Sequence, residues 1–454
     1  MRVEHPKTNL IYHSGLTRIP TEVFGSCIFL SSWAALATII ITLAIGCGNN
    51  ESGGNNHNLN YNENNNENRN NNENTNQNIN ENQNTHPQVT SISFSEETTV
   101  TITDDGDHFA FPDVTRTADE TLFLVYRRGN SHADNSGRIM KQVGARDGLT
   151  WNPPEVLYDE PGIDDRDPSV VSLADGDLLM SYFQYTGVAE DGGSLFLHEI
   201  FSLRSTDNGE TFGAPSQVSS GTMSPDNPHR NPEGLWVNDE EEPIIVQACS
   251  SPIVETDTRL LLPIYGGNAL NLDNLAGAPR SRISIYESTD AGSSWNEEPV
   301  NHDLASNVWL QEPALLVLPE DRMLLQVRTA YGTSPSSPGN LAQAVSEDGG
   351  RTWSSWESLG FVGHAPDLYR LDCGVVLSAF REINDEFTQE WVSFMYSLDD
   401  GQTWSELNRI EDCGAQECGY PSILELDENR LLIVYYTAGG ESIQATIFNF
   451  TTTT

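Results

Sequence analysis

The chain has 454 residues, enough for one large domain or several small ones. It carries 66 acidic and 23 basic residues, a formal charge of −43, and such a surface repels nucleic acid and excludes a DNA- or RNA-binding role. Its 36 glycines and 9 tryptophans fit an all-β fold rich in turns, and helical periodicity is confined to one N-terminal apolar stretch.

That stretch, residues 27–46 (CIFLSSWAALATIIITLAIG), is long enough to enter a membrane. It runs into Leu43-Ala44-Ile45-Gly46-Cys47, and small residues before a cysteine resemble the lipobox of bacterial lipoproteins. On that reading Cys47 is lipidated after cleavage; an uncleaved transmembrane anchor is the alternative. Gly48 follows where an aspartate would signal inner-membrane retention, so an exported lipoprotein of the outer membrane or cell surface is expected. Residues 48–87 are dominated by Asn and hold almost nothing apolar, so they cannot offset the entropy of ordering and read as a disordered stalk. The expected organisation is a signal segment with lipobox at 1–47, a linker at 48–87 and one folded domain at 88–454.

Within the folded domain one pattern recurs six times. A proline opens an apolar run, a tight polar turn follows, and a second apolar run returns. The copies begin at Pro112, Pro168, Pro252, Pro313, Pro366 and Pro421, at steps of 56, 84, 61, 53 and 55 residues. A period of this size marks a repeat architecture, and each copy reads as a β-hairpin that must pack on its neighbours. A second repeat lies in phase with the first. STDNGETF (205–212), STDAGSSW (288–295), SEDGGRTW (346–353) and SLDDGQTW (397–404) share S-x-D-x-G-x-T-W, with GARDGLTW (144–151) as a degenerate fifth. Such a segment makes a self-contained turn: Asp accepts backbone N–H bonds, Gly adopts a backbone shape others resist, and the aromatic packs between sheets.

These segments are the Asp boxes, or BNR repeats, of sialidase-like proteins, and residues 90 to 450 resemble the sialidase propeller family. The resemblance implies an all-β, six-bladed β-propeller of four-stranded antiparallel blades. After the last hairpin only Ser442–Ile447 remains as a further strand, so Val89 to Ile102 is expected to complete the sixth blade and remove an exposed edge.

Propeller geometry gathers two sets of residues on one face. Those before the prolines include Phe111, Arg166-Asp167, Glu312, Ala365 and Tyr420. Those at the ends of the return strands are Arg127, Phe183, Tyr265, Arg328, Arg381 and Tyr436. Arg127, Arg328 and Arg381 each lie 15 residues past their proline. Guanidinium forks at one repeat position suit a carboxylate or sulfate ligand; structural ion pairs with Asp167 and Glu312 are the alternative. Family resemblance assigns roles. Gly419-Tyr420-Pro421-Ser422 is similar to the stretch carrying the sialidase tyrosine nucleophile, and Gln311-Glu312 through Arg328 to that carrying its activating glutamate and an arginine. The acid/base aspartate belongs on the loop after the first hairpin, where Asp134 matches and His132 competes. Arg381, Arg127, Arg128, Arg166, Asp167 and His132 are the remaining expected substrate contacts.

One departure stands out: Phe109-Ala110-Phe111-Pro112 holds Ala110 where sialidases carry their first arginine. The expected function is a retaining exo-glycosidase acting on a terminal acidic sugar of glycoconjugates or polysaccharides. A non-catalytic carbohydrate- or protein-binding propeller is the alternative. No zinc-type cysteine or histidine spacing is present, and no metal or cofactor is expected. The protein is expected to be monomeric, to meet carbohydrate, and to touch the membrane only through its anchor. Cys413 and Cys418 enclose a short loop that exported conditions allow to close. Two further segments remain open. Ile163–Pro168 reads as a cation or substrate site or as a satisfied charge network, and Asp226–Glu233 as a specificity rim or a plain surface loop.

Overall fold

The computed structural model describes residues 88–190, 193–219, 226–232, 235–268, 281–300, 308–331 and 339–454. The expected signal segment, Cys47 and the Asn-rich linker lie outside the described residues. Among those described, no helix is long and apolar enough to cross a membrane.

The described chain is all-β, apart from one short helical turn at Ala438–Gly440. Four antiparallel strands, His108–Arg116, Leu122–Gly129, Arg138–Gly144 and Glu155–Tyr158, form the first sheet in chain order. Asp164–Ser172, Leu178–Glu190, Gly193–Ser205 and Ser216–Gln217 repeat that order in the second. In the third, Leu260–Asn268 pairs with Ile245–Ala248, Val254–Glu255 and Arg282–Ser288, and Asn296–Pro299 lies outermost. The inner edge of this sheet is therefore made of two short strands, separated by Ser250-Ser251-Pro252. A seven-stranded sheet follows, and its middle strand Glu357–Arg370 serves two groups. The start of that strand pairs with Asn340–Ser346, and the part from Val362 onward pairs with Val376–Ile383. In the last sheet the N-terminal strand Ser91–Thr103 lies outside Ile443–Thr453, as the strand shortage predicted.

Apolar runs are continuous rather than alternating because both faces of each sheet are buried. Leu122 and Leu124 face the last sheet, packing with Leu432 and Val434; Phe123 and Val125 between them face the second, packing with Val170 and Met180. Further clusters join the second sheet to the third, the third to the fourth group, the fourth to the fifth, and the fifth to the last. Each side chain of this kind contributes about 1.5–3 kcal/mol on full burial.

Asp boxes lock the turns at the far ends. In all four full copies the serine hydroxyl donates to the aspartate and accepts the glycine N–H, and the aspartate takes the N–H and hydroxyl four residues on. For Ser397, Asp399, Gly401 and Thr403 these distances are 2.7, 2.8, 2.8 and 2.7 Å. A side chain from the preceding repeat then clamps each turn: Lys141 Nζ donates to Gly209 O, Arg204 Nη1 to Ala291 O, Arg259 Nη2 to Gly349 O and Gln343 Nε2 to Gly401 O.

At the opposite end the x-Pro steps build the floor of the site. Five pre-proline residues, Phe111, Asp167, Glu312, Ala365 and Tyr420, take φ between 44° and 57°. Each sits at a bulge in its strand pairing. Left-handed backbone at a non-glycine residue costs on the order of 1–3 kcal/mol and is held only where the surroundings enforce it. Here the bulge turns each of these side chains out of the sheet's alternation and toward the shared centre. Beneath them the next residues tie sheet to sheet. Asp113 accepts from Val170 N at 2.7 Å, Asp367 from Ile423 N at 2.8 Å, and Ser422 Oγ donates to Asp113 at 2.5 Å, linking the last sheet to the first.

Candidate functional site

Above this floor lies an open cleft of about 490 Å³. Asp167, Glu312 and Tyr420 line it from pre-proline positions; Phe183, Tyr265, Arg328 and Arg381 line it from the ends of return strands. The two positional sets picked out in the sequence therefore meet on one face.

The Tyr420 hydroxyl donates to Glu312 Oε1 at 2.7 Å. Arg328 Nη1 reaches the same oxygen at 2.7 Å, and Ala365 N donates to Oε2 at 2.9 Å. Burial, then the nearby Glu312 and Asp167 charges, push the Tyr420 phenol well above its usual range, so it stays protonated until a base takes its proton. Glu312 is 4 % exposed and is hydrogen-bonded through both oxygens, so its orientation toward the phenol is fixed.

The arginines divide. Arg381 contacts Glu417 at 3.1 Å, Glu390 at 3.7 Å and His364 Nδ1 at 2.9 Å. Arg166 lies 3.1 Å from Asp164 and 3.9 Å from Asp167, donates to His132 O at 2.7 Å, and stacks 4.9 Å from the Phe111 ring centre. Two expected substrate contacts lie elsewhere. Arg127 is fully buried beneath the site, bonded to Asp164 Oδ1 at 2.7 Å and to the carbonyls of Ser131 and Asp134. Arg128 points away, to Asp107 at 2.6 Å and Asp105 at 3.0 Å.

Asp134 also departs from expectation. Its carboxylate does not line the cleft: it closes a local turn, accepting from Ser131 Oγ at 2.7 Å, Ser136 N at 2.8 Å and Ser136 Oγ. Slight burial opposes ionisation, but the bonds from Ser136 and Ser131 outweigh it and hold the group at about 2. A carboxyl so placed keeps no proton to give at neutral pH. His132, the competing group on that loop, does face the cleft, with Nδ1 3.3 Å from Glu417 Oε2. Burial lowers its pKa to about 4 against the pull of Glu417. Asp167 moves the other way. Burial first, partly offset by Arg166 and reinforced by Glu312, raises it to about 8.

Within Ile163–Pro168, Asp164 and Asp165 form a charge and hydrogen-bond network, while Arg166 and Asp167 line the cleft. Asp164 serves both Arg127 and Arg166, and Asp165 accepts from Gln184 Nε2 at 3.0 Å and Glu160 N at 2.8 Å. Of the rim segment, the described residues Asp226–Pro232 do not line the cleft, and Glu233 lies outside the described residues. Ala110 is buried in the core between the first and last sheets. Among the described residues no cluster of His, Cys, Asp and Glu could hold a metal ion.

Sequence reasoning missed Glu417, Glu390 and Phe387, whereas His364, next to Ala365 before Pro366, lines the cleft from the face that the prolines mark. Glu417 sits in the loop closed by the Cys413–Cys418 disulfide, and its Oε1 takes bonds from Arg381 and from the Tyr436 hydroxyl at 2.9 Å. A charged residue inside a five-residue cysteine spacing was the available signal. Phe387 is 53 % exposed at the cleft rim, on a turn where Asn384 Oδ1 accepts from Thr388 N and Gln389 N.

A family model described as "BNR repeat-like domain" matches residues 148–433. Comparison with curated proteins finds no match. Among solved structures, a protein of unknown function from Dyadobacter fermentans is similar at 22% identity and TM-score 0.64, covering 79% of this chain and 99% of that one. The intramolecular trans-sialidase of Ruminococcus gnavus, solved with oseltamivir carboxylate, aligns at 12% identity and TM-score 0.55, covering 77% and 96%. The α-L-arabinanase of Penicillium chrysogenum, solved with arabinobiose, aligns at 15% identity and TM-score 0.55, covering 78% and 98%. At these identities the likeness concerns the fold. The family match spans more than half of the sequence and takes in all four full Asp boxes; the chain belongs to the BNR repeat-like domain family.

Proposed function

We propose that the protein is a retaining glycoside hydrolase of sialidase-like architecture, with Tyr420 as nucleophile and Glu312 as its base. The observation that carries this is the 2.7 Å bond from the Tyr420 hydroxyl to Glu312 Oε1, with Arg328 on the same oxygen. A phenol is a weak nucleophile until a carboxylate takes its proton, and this pair is already in contact. In the first step Tyr420 Oη bonds to the anomeric carbon and its proton passes to Glu312. The bond to the leaving oxygen breaks, and His132, protonated at acid pH, supplies that oxygen with a proton. In the second step water, giving its proton to His132, displaces the tyrosine, which recovers its own proton from Glu312.

The same reading makes 88–454 a closed ring of six blades, latched by Ser422 on Asp113 and by the N-terminal strand. It makes residues 1–47 a signal segment lipidated at Cys47, and residues 48–87 a stalk that holds a monomeric propeller at the outer membrane or cell surface. Carbohydrate is then the partner, and the lipid is the sole membrane contact.

Replacing Tyr420 by Phe tests the reading. Hydrolysis of aryl glycosides should fall by at least 10³-fold with sugar binding retained. A 2-fluoro glycoside that traps the intermediate should label Tyr420 in the wild type, read by peptide mass. A second reading, a carbohydrate-binding module without catalysis, draws on the burial of Ala110 and the locked Asp134. Sugar binding without turnover on any aryl glycoside would favour it.

A further inference from the structure

Charge in the cleft is distributed against an anionic ligand. Arg328 is matched by Glu312 at 2.7 Å, Arg381 by Glu417 at 3.1 Å, and Arg166 by Asp164 at 3.1 Å. Beneath them Arg127 shares Asp164. Four guanidinium groups thus face five carboxyl groups: Asp164, Asp167, Glu312, Glu390 and Glu417. The cleft's histidines add no positive charge near neutrality. Burial lowers His132 to about 4 and His198 to about 3, and drives His364 well below its usual range. Any carboxylate entering here has to displace one already in place, in a protein of formal charge −43.

Two carboxyl oxygens of the cleft point the other way. Asp167 Oδ1 and Glu390 Oε2 are buried and accept no hydrogen bond from the chain. Their arginine neighbours stand at 3.9 and 3.7 Å, beyond hydrogen-bond distance. Buried polar atoms without partners are costly, and at a ligand site they mark where the ligand's own donors fall. Hydroxyl groups are the donors that a carboxyl oxygen takes up without importing charge. Aromatic walls at Phe183, Tyr265 and Phe387 supply faces for the apolar side of a sugar ring.

We infer that the cleft takes a neutral sugar, whose hydroxyl groups donate to Asp167 Oδ1 and Glu390 Oε2, and that its arginines position carboxylates of the protein rather than a carboxylate of the substrate. This rests on the carbohydrate reading above and replaces the acidic sugar expected from the sequence.

Matched ligands that differ only in charge test it. The full chain is titrated with methyl glucoside against methyl glucuronide, methyl galactoside against methyl galacturonide, methyl arabinofuranoside, and the methyl glycoside of N-acetylneuraminic acid, with binding read by saturation-transfer NMR. At least one neutral ligand should bind tenfold or more tightly than its charged counterpart. Glu390→Gln and Asp167→Asn should each weaken that neutral ligand by about tenfold, the loss of about one hydrogen bond. Glu417→Gln releases Arg381 and should narrow the gap between neutral and charged ligand. Equal or tighter binding of the uronic or sialic ligands by the wild type overturns the inference while leaving the carbohydrate reading standing. So does neutral binding that both carboxyl variants leave untouched. If no sugar of the panel binds, the carbohydrate reading fails and the inference with it.

Discussion

Arg127 is the residue for which position in the repeat and position in space diverge most, and removing it separates the two. Both Arg127 and Asp164 have side chains at 0 % exposure, 2.7 Å apart. Arg127→Met would strip Asp164 Oδ1 of its donor and leave the carbonyl of Ser131 without its own, while Asp134 O keeps the Gly137 N–H at 3.1 Å. Removing one member of a buried pair costs about 3–5 kcal/mol, because the other charge stays buried and uncompensated. Arg166 Nη1 and Asp134 N still reach Asp164 Oδ2 at 3.1 Å, which places the expected loss near the lower bound, about 3 kcal/mol. For a domain of this size the melting temperature should fall on the order of 5 °C. Urea unfolding at pH 7 gives the free energy directly. The double variant Arg127→Met, Asp164→Asn should recover part of the loss, since no unpaired anion remains. A single variant within about 0.5 kcal/mol of wild type that no longer binds sugar would refute the reasoning and return Arg127 to the substrate.

Three further outcomes are expected. If His132 supplies the leaving-group proton, kcat/KM rises as pH falls toward about 4, where its ring becomes protonated; His132→Gln should lose that dependence and lose least on the most activated aryl glycosides. Burial, then the Asp113 charge, raise Asp367 from 3.8 to about 8, so its stabilising contribution is full below its unfolded pKa and is lost as pH rises through about 8. The melting temperature of wild type relative to Asp367→Asn should therefore fall between pH 4 and 8, and a constant difference would show that Asp367 is ionised throughout. Opening the Cys413–Cys418 loop by replacing both cysteines with serine should cost about 2 kcal/mol through chain entropy. Because Glu417 rides on that loop, sugar affinity should fall as well, and unchanged affinity would remove Glu417 from the site.

The sequence by itself determined the architecture. Its prolines, hairpins and Asp boxes recur in phase, and a repeat that cannot bury its own faces has to stack on copies of itself. From that stacking came the face on which the site lies; resemblance to sialidases matched Glu312, Arg328 and Tyr420 to one another, and a count of strands against that fold placed the N-terminal strand. These are properties of register, and register is written in local spacing. Tertiary structure decided what each charged side chain does once it arrives. Arg127, Arg328 and Arg381 share one repeat position, yet one supports the loop beneath the cleft, one bonds Glu312 and one is held by a glutamate from the disulfide loop. Asp134 holds its expected place in the chain, but two serine hydroxyls claim its carboxylate. Ionic and hydrogen-bond partners are chosen by distance and desolvation among groups that the folded chain brings together, and a periodic sequence specifies where a side chain starts but not which opposite charge it meets.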